Sequence, residues 1–380
     1  MKLAFVTNFI QHYRVQTFEL LSERVQTDFF LFSKGKEKYW LNEHGVRYIG
    51  VQSKHLSGFT FLGITFSPSL IWHLAKGDYD VYLSGIVGKF SLPITFLVAK
   101  TKRKPFVLWT GVWHRIDTKI HRAIFPLTKY IYQHADGIVV YGNHVRDYLI
   151  SEGVEPHRIF IADHAVQNEH YNLPVTDAEK EVLRKKWGIR PEQKIILYLG
   201  RLVKEKGVKD LILALSNLSG DSILLIAGTG QEREMLELQA KALGVESQVR
   251  FVGYIQPEMA YQYFALADVS VLPSLTTPEH KEPWGLTVNE SFNQGTPVIA
   301  SDSVGAAAGG FLRDGLDGFI FPEGDWRALT DALKRVLEDQ TLREQLSDNV
   351  RARVQLWDNH RMIDGFMRAF HFVTNKASDG

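Results

Sequence analysis

Two glutamates stand on either side of a Pro-Trp-Gly turn in the stretch KEPWGLTVNE, which is residues 281–290. Carboxylates paired in this way serve glycoside hydrolysis, metal binding or hydrogen bonding to sugar hydroxyls. Glu282 precedes a proline, and Glu290 ends the stretch. The chemistry of the pair therefore depends on the elements that hold it.

The turn predicts where the next helix begins. Pro283 disfavours helical geometry in the residue before it, and Gly285 permits a sharp turn. The helix is expected to start near Leu286 and to run to Gly295. The amides of Gly285, Leu286 and Thr287 would then point out of the helix start, where they can face phosphate oxygens.

Two cations and a glycine turn follow other predicted strands. Arg201 directly follows the strand KIILYLG, and Lys206 stands five positions later at a helix entrance. Such a pair suits a diphosphate, although a solvated helix start explains it equally well. After SILLIAG, Gly228 and Gly230 allow a tight turn and a close approach of backbone to a ligand. Packing alone also accounts for such a turn.

Strand-like and helix-like stretches alternate in both halves of the chain, which indicates an α/β protein with parallel sheets. At 380 residues the chain exceeds the usual size of one hydrophobic core, so two domains are expected. The polar, strandless residues 172–192 are predicted to be the linker. The predicted domains are residues 1–171 and 193–356, with a helix over residues 357–376 returning to the first domain.

Composition narrows the class of protein. The chain has no cysteine, which excludes disulfides, thiolate zinc sites and cysteine nucleophiles and fits a reducing compartment. The apolar run at the start is too short for a signal-peptide core, and no stretch approaches the length of a membrane span. We therefore expect a cytoplasmic location, with no nucleic-acid partner.

The halves of the chain carry opposite net charges. Residues 1–185 hold 23 Lys and Arg against 17 Asp and Glu, whereas the remainder holds 21 against 26. Residues 100–129 carry eight cations and one acid. This basic stretch, with the apolar residues 59–66 (FTFLGITF), predicts contact with an anionic membrane surface at the inner face of the membrane, and a solvated basic face is the alternative.

Seven motifs of the second half resemble, in order and spacing, those of retaining nucleotide-sugar glycosyltransferases of the GT-B fold, family 4. They are GRLVKEKG, IAGTG, VRFVGYI, ADVSVLPS, EPWGLTVNE, GTPVIAS and DGLDGFIFPEGD. The resemblance spans residues 194 to about 340. It implies two Rossmann-like domains facing across a cleft, a C-terminal helix that returns to the N-terminal domain, and a nucleotide-sugar donor without a metal or other cofactor.

The resemblance also implies roles for the residues above. Arg201 and Lys206 match the basic pair that holds the donor diphosphate. Glu282 and Glu290 match the two acids of the E-x7-E motif, of which the second accepts hydrogen bonds from the ribose and the first lies near the sugar. The residues expected to frame the phosphates, sugar and nucleobase are Gly285, Leu286, Thr287, Gly228, Gly230 and Tyr254.

The acceptor half of the site is less clearly marked. The family often has a histidine where this chain has Gly111, and His114 follows three residues later. His114 either takes that role through a longer loop or is an ordinary polar loop residue. His12 is a second catalytic candidate, and Asn8 is a further residue that could face the cleft. Residues 162–168 (ADHAVQN) replace the loop that the family has at the domain junction.

These observations predict a retaining, metal-independent glycosyltransferase. It would move a sugar from a UDP- or GDP-type donor to a hydroxyl of a glycan or lipid-linked acceptor, in polysaccharide or glycolipid assembly. The two glutamates could serve a glycoside hydrolase, but that reaction would give Arg201 and Lys206 no role. Asp78 and Asp80 have D-x-D spacing but precede a strand, which favours a strand-entry turn over a metal site. The alternatives are a nucleotide-sugar 2-epimerase of the same fold and a catalytically silent nucleotide-binding protein.

Overall fold

A computed structural model of the chain describes residues 1–33, 51, 53–61, 64–86, 88–218 and 221–378, apart from the side chains of His12, Ala377 and Ser378. The chain divides into two compact units. Unit 1 comprises Met1–His164 and Asn359–Gly380, and unit 2 comprises Ala165–Asp358.

Strands and helices alternate along both units, as the sequence predicts. The strands are β1 (Lys2–Thr7), β2 (Gln26–Leu31), β3 (Ser53–His55), β4 (Phe59–Phe61), β5 (Ile64–Phe66), β6 (Val81–Gly85), β7 (Phe106–Thr110), β8 (Gly137–Val140), β9 (Ile159–Ile161), β10 (Lys194–Leu199), β11 (Ser222–Ala227), β12 (Val249–Gly253), β13 (Val269–Leu272), β14 (Val298–Ser301) and β15 (Gly318–Phe321). The helices are α1 (Val15–Arg24), α2 (Ser69–Lys76), α3 (Ser91–Thr101), α4 (Lys119–His134), α5 (Asn143–Ser151), α6 (Asn168–Tyr171), α7 (Asp177–Trp187), α8 (Val208–Leu215), α9 (Arg233–Ala242), α10 (Ala260–Leu266), α11 (Thr287–Asn293), α12 (Gly305–Ala308), α13 (Trp326–Glu338), α14 (Gln340–Val354) and α15 (Asn359–Ser378).

Unit 1 is built on a seven-stranded parallel sheet with the order β3-β2-β1-β6-β7-β8-β9. The central strands are continuous apolar runs buried on both faces, as covered parallel strands usually are. Helix α15 packs on β8, β9 and α1. Its Gly365 allows this close contact, because a Cβ there would lie 2.5 Å from the Cα of Ala162.

Unit 2 contains a six-stranded parallel sheet with the order β12-β11-β10-β13-β14-β15. This is the order 3-2-1-4-5-6 of a Rossmann domain, in which ligands bind where the strand order reverses. Apolar side chains form two buried clusters, one including Leu211 and Leu333 and the other including Phe264 and Leu183. The two Rossmann-like domains expected from the sequence are thus present.

The division of the chain differs from the predicted one at both crossings. The first falls after His164, not after residue 171, and the second falls after Asp358, not after residue 356. Trp357, predicted to begin the returning helix, remains in unit 2, where its ring lies 4.8 Å from that of Phe311. Helix α15 begins two residues later, at Asn359.

The segment 172–192, predicted as a linker, is part of unit 2 and forms helix α7. Thr176 and Glu179 cap the start of this helix reciprocally. Leu183 and Ile189 belong to a buried apolar cluster of unit 2. A mostly charged helix that buries one narrow stripe looks like a linker by composition, which explains the difference.

The structure describes part of the apolar segment that is predicted to contact a membrane, and it bears on the prediction that no stretch spans one. The residues FTFLGITF contain the antiparallel pair β4 and β5, in which Phe59 and Phe61 are 60% and 62% exposed. Across the residues that the structure describes, no helix combines the length and the apolar character needed to cross a membrane.

Candidate functional site

The strand order of unit 2 reverses between β10 and β13, so the segments after these two strands lie at the expected ligand edge. The segment after β10 carries Arg201 and Lys206. The segment after β13 carries Ser274 and Glu282. The fold therefore brings together two cations and one acid that are about 80 residues apart in the sequence.

Glu282 and Lys206 form a buried ion pair at this edge. The Lys206 ammonium donates a hydrogen bond to the Glu282 carboxylate, and the side chains are only 18% and 10% exposed. The Ser274 hydroxyl lies 3.4 Å from the same carboxylate oxygen. Burial alone would raise the pKa of Glu282, but the charges of Lys206, His280 and Arg201 outweigh it and lower that pKa. Glu282 is therefore held ionised.

Arg201 is the more exposed of the two cations. Its guanidinium lies 3.7 Å from the Glu205 carboxylate, and 37% of the side chain is exposed. The buried Tyr198 hydroxyl donates a 2.7 Å hydrogen bond to the Arg201 carbonyl, which fixes the backbone after β10. Gly207 ends the Lys204–Lys206 turn with φ +64°, so that helix α8 begins immediately afterwards. Both cations are thus set by the local backbone.

The Pro-Trp-Gly turn has the geometry that the sequence predicts. Gly285 has φ +89°, and a Cβ there would lie 2.9 Å from Leu272 and 3.0 Å from Val304. Leu286 is the N-cap of α11, which begins at Thr287. The first amides of a helix have no partner within it, and among the described residues those of Gly285, Leu286 and Thr287 donate no backbone hydrogen bond.

Glu290 lies inside α11 and is nearly inaccessible to solvent. The Tyr171 hydroxyl donates a hydrogen bond to its carboxylate, and burial of the carboxylate raises the pKa of Glu290 to about 7. This carboxylate is therefore costly to ionise until further donors reach it. Hydroxyl groups of a ligand would be such donors.

The predicted nucleobase segments are adjacent. The Gly228 amide donates a 2.7 Å hydrogen bond to the Gly253 carbonyl, next to Tyr254. Gly228 has φ +145°, and a Cβ there would lie 1.8 Å from the Gly200 carbonyl oxygen. A Cβ on Gly230 would lie 2.1 Å from the Leu202 carbonyl oxygen. Close packing of two loops thus requires both glycines.

Tyr254 stands beside these loops with 43% of its surface exposed. Its ring lines a shallow groove together with Trp187 of α7 and Met259. An exposed aromatic ring in such a groove offers a flat surface on which a planar ligand can stack.

Unit 1 places the acceptor-side candidates after two strands, His114 after β7 and His12 after β1. His114 lies in the loop that follows this strand, and both its ring nitrogens are shielded from solvent. A Cβ on Gly111 would lie 2.2 Å from the Tyr141 ring, so this ring occupies the space that a histidine at 111 would need. The backbone of His12 forms part of a 3-10 turn, and its side chain lies outside the described residues.

The D-x-D pair lies where a strand begins. Asp80 accepts a 2.7 Å hydrogen bond from the Lys2 amide and lies 3.9 Å from the Lys104 ammonium, just before β6. In the described part of the chain, no group of three or more His, Asp or Glu residues has the arrangement of a metal site. These contacts match the strand-entry interpretation.

Part of the positive charge of residues 100–129 is neutralised in the folded chain. Within the described residues, four of its eight cations form ion pairs, and three of the four carboxylates come from outside the stretch. The pairs are Lys100 with Asp136, Lys104 with Asp80, Arg122 with Asp117, and Lys129 with Glu152. Counting charge over a sequence window misses such partners.

Residues 179–353 match the family model of glycosyl transferases group 1. This range contains every donor-side residue predicted above, including the Lys206–Glu282 pair and Glu290. Residues 179–353 therefore form a group 1 glycosyltransferase domain. The resemblance to GT-B glycosyltransferases stated from the sequence is confirmed.

Curated relatives of the glycosyltransferase domain include sugar transferases from bacteria. The alpha-D-kanosaminyltransferase of Streptomyces kanamyceticus is 27% identical over 243 residues, 61% of this chain and 60% of that protein. The lipopolysaccharide core biosynthesis glycosyltransferase LpsE of Rhizobium meliloti is 34% identical over 154 residues, 40% and 42% of the two chains. The chain spans about half the length of the curated relatives it matches.

Solved structures resemble the chain over nearly its whole length. Anabaena HepE, crystallised with UDP, has a TM-score of 0.78 at 19% identity over 97% of this chain and 99% of its own. WaaG, a glycosyltransferase involved in lipopolysaccharide biosynthesis, has a TM-score of 0.71 at 17% identity over 95% and 97%. The chain thus has the GT-B fold, with one Rossmann-like domain in each unit.

Sequence reasoning missed two residues of unit 2 that act on the glutamates. Tyr171 lies 119 residues before its partner Glu290, within residues 1–171, which the sequence predicts to be the first domain. His280 precedes Glu282 by two residues, and its buried Nε2 atom meets no hydrogen-bond partner in the part of the chain that the structure describes. The pKa of His280 is lowered, chiefly by burial. Only His280 had a sequence signal, its position two residues before the EPWGLTVNE motif.

Proposed function

We propose that the protein is a retaining glycosyltransferase that moves a sugar from a nucleoside diphosphate to a hydroxyl group of a glycan or lipid-linked acceptor. The observation that carries this proposal is the buried Lys206–Glu282 pair at the strand-order reversal of a group 1 glycosyltransferase domain. A buried ion pair is a weak source of stability, so a binding role accounts better for its position. The proposed donor is of the UDP or GDP type.

The donor would lie along residues 281–290 (KEPWGLTVNE). Lys206 has three N–H donors, so it can keep its contact with Glu282 and still bind a phosphate oxygen. Arg201 and the amides of Gly285, Leu286 and Thr287 would hold the rest of the diphosphate. The Glu290 carboxylate would accept hydrogen bonds from the ribose hydroxyls, and the loops at Gly228, Gly230 and Tyr254 would flank the base.

The transfer itself needs few protein groups. The bond between the anomeric carbon and the leaving phosphate oxygen breaks, and the acceptor oxygen bonds to that carbon on the same face of the sugar. The proton of the acceptor hydroxyl passes to the leaving phosphate oxygen. Lys206 and Arg201 stabilise the negative charge that develops on the diphosphate, and Glu282 orients Lys206 and lies near the sugar.

Compensation of the diphosphate by two cations and a helix start supports a reaction without a divalent metal. The acceptor candidates His114 and His12 belong to unit 1, and their catalytic roles are part of the proposal. The cytoplasmic location, based on the cysteine-free sequence, also stays a prediction.

Binding measurements on nucleoside diphosphates and their sugars test the donor proposal. We expect UDP or GDP to raise the melting temperature of the protein, and Lys206→Ala to remove the shift while Lys204→Ala keeps it. Lys204 is the matched control because it is exposed on the same turn. A protein that no nucleoside diphosphate stabilises would contradict the proposal.

Product analysis separates the transferase from its alternatives. A transferase releases nucleoside diphosphate only when an acceptor is present, apart from slow hydrolysis. A 2-epimerase would convert the donor sugar with no acceptor, and a silent binding protein would show neither reaction. The configuration at the anomeric carbon of the product, compared with that of the donor sugar, distinguishes retention from inversion.

We further propose that unit 1 meets an anionic membrane surface that carries the acceptor. Because half of the cations in residues 100–129 are paired, exposed apolar side chains would supply much of the contact. Phe59, Phe61, Trp72 and Leu97 are such side chains in β4, α2 and α3. Liposomes with anionic lipid should pellet the protein at low salt, and Phe59→Ser with Phe61→Ser should reduce the pelleted fraction; no pelleting at all would refute the idea.

A further inference from the structure

Unit 1 contains a cation that no carboxylate neutralises within the described part of the chain. Arg14 donates a 2.6 Å hydrogen bond from Nη2 to the Tyr141 hydroxyl, and its guanidinium lies 4.5 Å from the centre of the Trp109 ring. Its Nε atom is buried and meets no acceptor there. One N–H group of five is therefore engaged by the described side chains.

The position of Arg14 adds to this positive charge. The residue is the N-cap of α1, and the first turn of this helix has no acidic residue. A helix N-terminus carries a partial positive charge, so a cation placed there destabilises the helix and favours a bound anion. The strand order of unit 1 reverses beside β1, so Arg14 lies where a Rossmann-like unit binds ligands.

The neighbours of Arg14 hold the guanidinium without neutralising it. Tyr141 stacks on His164 with ring centres 4.2 Å apart and an interplanar angle of 16°. Burial, together with the charge of Arg14, lowers the pKa of His164 well below its usual range. His164 is thus uncharged near neutral pH. Nearby, the buried side-chain oxygen of Gln11 has no hydrogen-bond partner in the described residues.

We propose that Arg14, held between Trp109 and Tyr141, binds an anionic oxygen group of the acceptor, either a phosphate or a carboxylate. A partly buried guanidinium with no counter-ion among the described residues carries a desolvation cost, which a bound anion offsets. The fork of N–H groups also matches two oxygens of such an anion. The assignment of the anion to the acceptor rests on the proposed function, whereas the anion site itself does not.

The test measures anion binding in a protein whose donor site is disabled. In the Lys206→Ala background, calorimetry with glycerol 1-phosphate and with glucuronate reports on Arg14, and glycerol and glucose serve as neutral controls. We expect one or both anions to bind and the neutral compounds not to. Binding of the phosphate alone points to a phosphorylated acceptor, and binding of glucuronate alone points to an acidic sugar; either result supports the site.

Substitutions then assign the binding to Arg14. Arg14→Gln in the same background should weaken anion binding at least about tenfold, since it removes a charge-assisted hydrogen bond. Arg14→Lys should retain part of the affinity. If Arg14→Gln does not fold, Tyr141→Phe provides the test. This variant keeps the ring contacts with Trp109 and His164 but loses the hydroxyl that orients the guanidinium. It should weaken anion binding about fivefold.

Two results would overturn the proposal. One is that Lys206→Ala protein binds neither anion, and the other is that Arg14→Gln, or Tyr141→Phe where it is used, binds as tightly as its parent. Failure of the donor proposal would look different, because nucleoside diphosphates would then fail to bind while Arg14-dependent anion binding persisted.

Discussion

Replacing Lys206 with alanine removes the principal counter-charge of Glu282 and leaves a carboxylate buried in unit 2. Loss of one partner of a buried ion pair costs about 3–5 kcal/mol. Because Lys206 keeps 18% exposure, and because Arg201 and His280 still act on Glu282, we expect the lower end, about 3 kcal/mol. For a unit of this size that corresponds to a fall in melting temperature of about 6–12 °C.

The pH dependence identifies the cause of the loss. In the wild-type protein the pKa of Glu282 is lowered, so the ionised carboxylate stabilises the fold above its unfolded pKa, and this contribution disappears as the pH falls. Without Lys206, burial dominates and raises the pKa of Glu282. In the variant this carboxylate takes up a proton in mild acid, which removes the buried charge that lacks a partner. The destabilisation should therefore be greatest near pH 8 and smaller near pH 5.

Urea unfolding followed by tryptophan fluorescence measures this difference, with Trp284 beside the site as one reporter. Lys204→Ala serves as the control and should change the free energy of unfolding by less than about 0.5 kcal/mol, because Lys204 is exposed on the same turn. Adding Glu282→Gln to Lys206→Ala should recover part of the lost stability at alkaline pH. Equal destabilisation at both pH values, or a Lys204→Ala effect as large, would refute the argument.

Three further predictions concern substitutions in unit 2. Glu290→Gln should flatten the pH dependence of nucleoside diphosphate binding seen by calorimetry. In the wild type, affinity should fall up to about tenfold per pH unit below pH 7, because the protonated Glu290 must ionise to accept hydrogen bonds. Gly285→Ala should destabilise the protein by about 1–3 kcal/mol in thermal unfolding, and more than Gly253→Ala, whose positive φ faces open space. Lys206→Ala should abolish sugar transfer in a product assay run well below its melting temperature, and near-normal transfer would contradict the donor site.

The sequence was most informative where local rules and tertiary packing agree. The runs KIILYLG, SILLIAG, VRFVG, VSVLP, TPVIAS and GFIFP correspond to the six strands β10 to β15, because each combines β-branched or aromatic residues with a turn. The start of α11 was predicted because Pro283 and Gly285 act on the backbone beside them. Such effects need no knowledge of the fold.

Long-range partners could not be predicted in the same way. Tyr171 reaches Glu290 because helix α6, which ends at Tyr171, packs against α11 in unit 2. The basic stretch 100–129 is partly neutralised by Asp80, Asp136 and Glu152, which lie outside it. Neither pairing has a period or a spacing, since both depend on how loops meet after the sheets have formed.

Each unit has a cation seven residues after the end of its first strand, but the surroundings of the two cations differ. Arg14 comes seven residues after the end of β1 at Thr7 and starts α1, and Lys206 comes seven residues after the end of β10 at Leu199 and leads into α8. Lys206 has a buried carboxylate as its partner, so it is oriented before any ligand binds. Arg14 is oriented by a hydroxyl and an aromatic ring, which fix its direction and leave its charge intact. The first arrangement suits a cation that shares an anion with an acid nearby, and the second suits a cation that takes the anion alone.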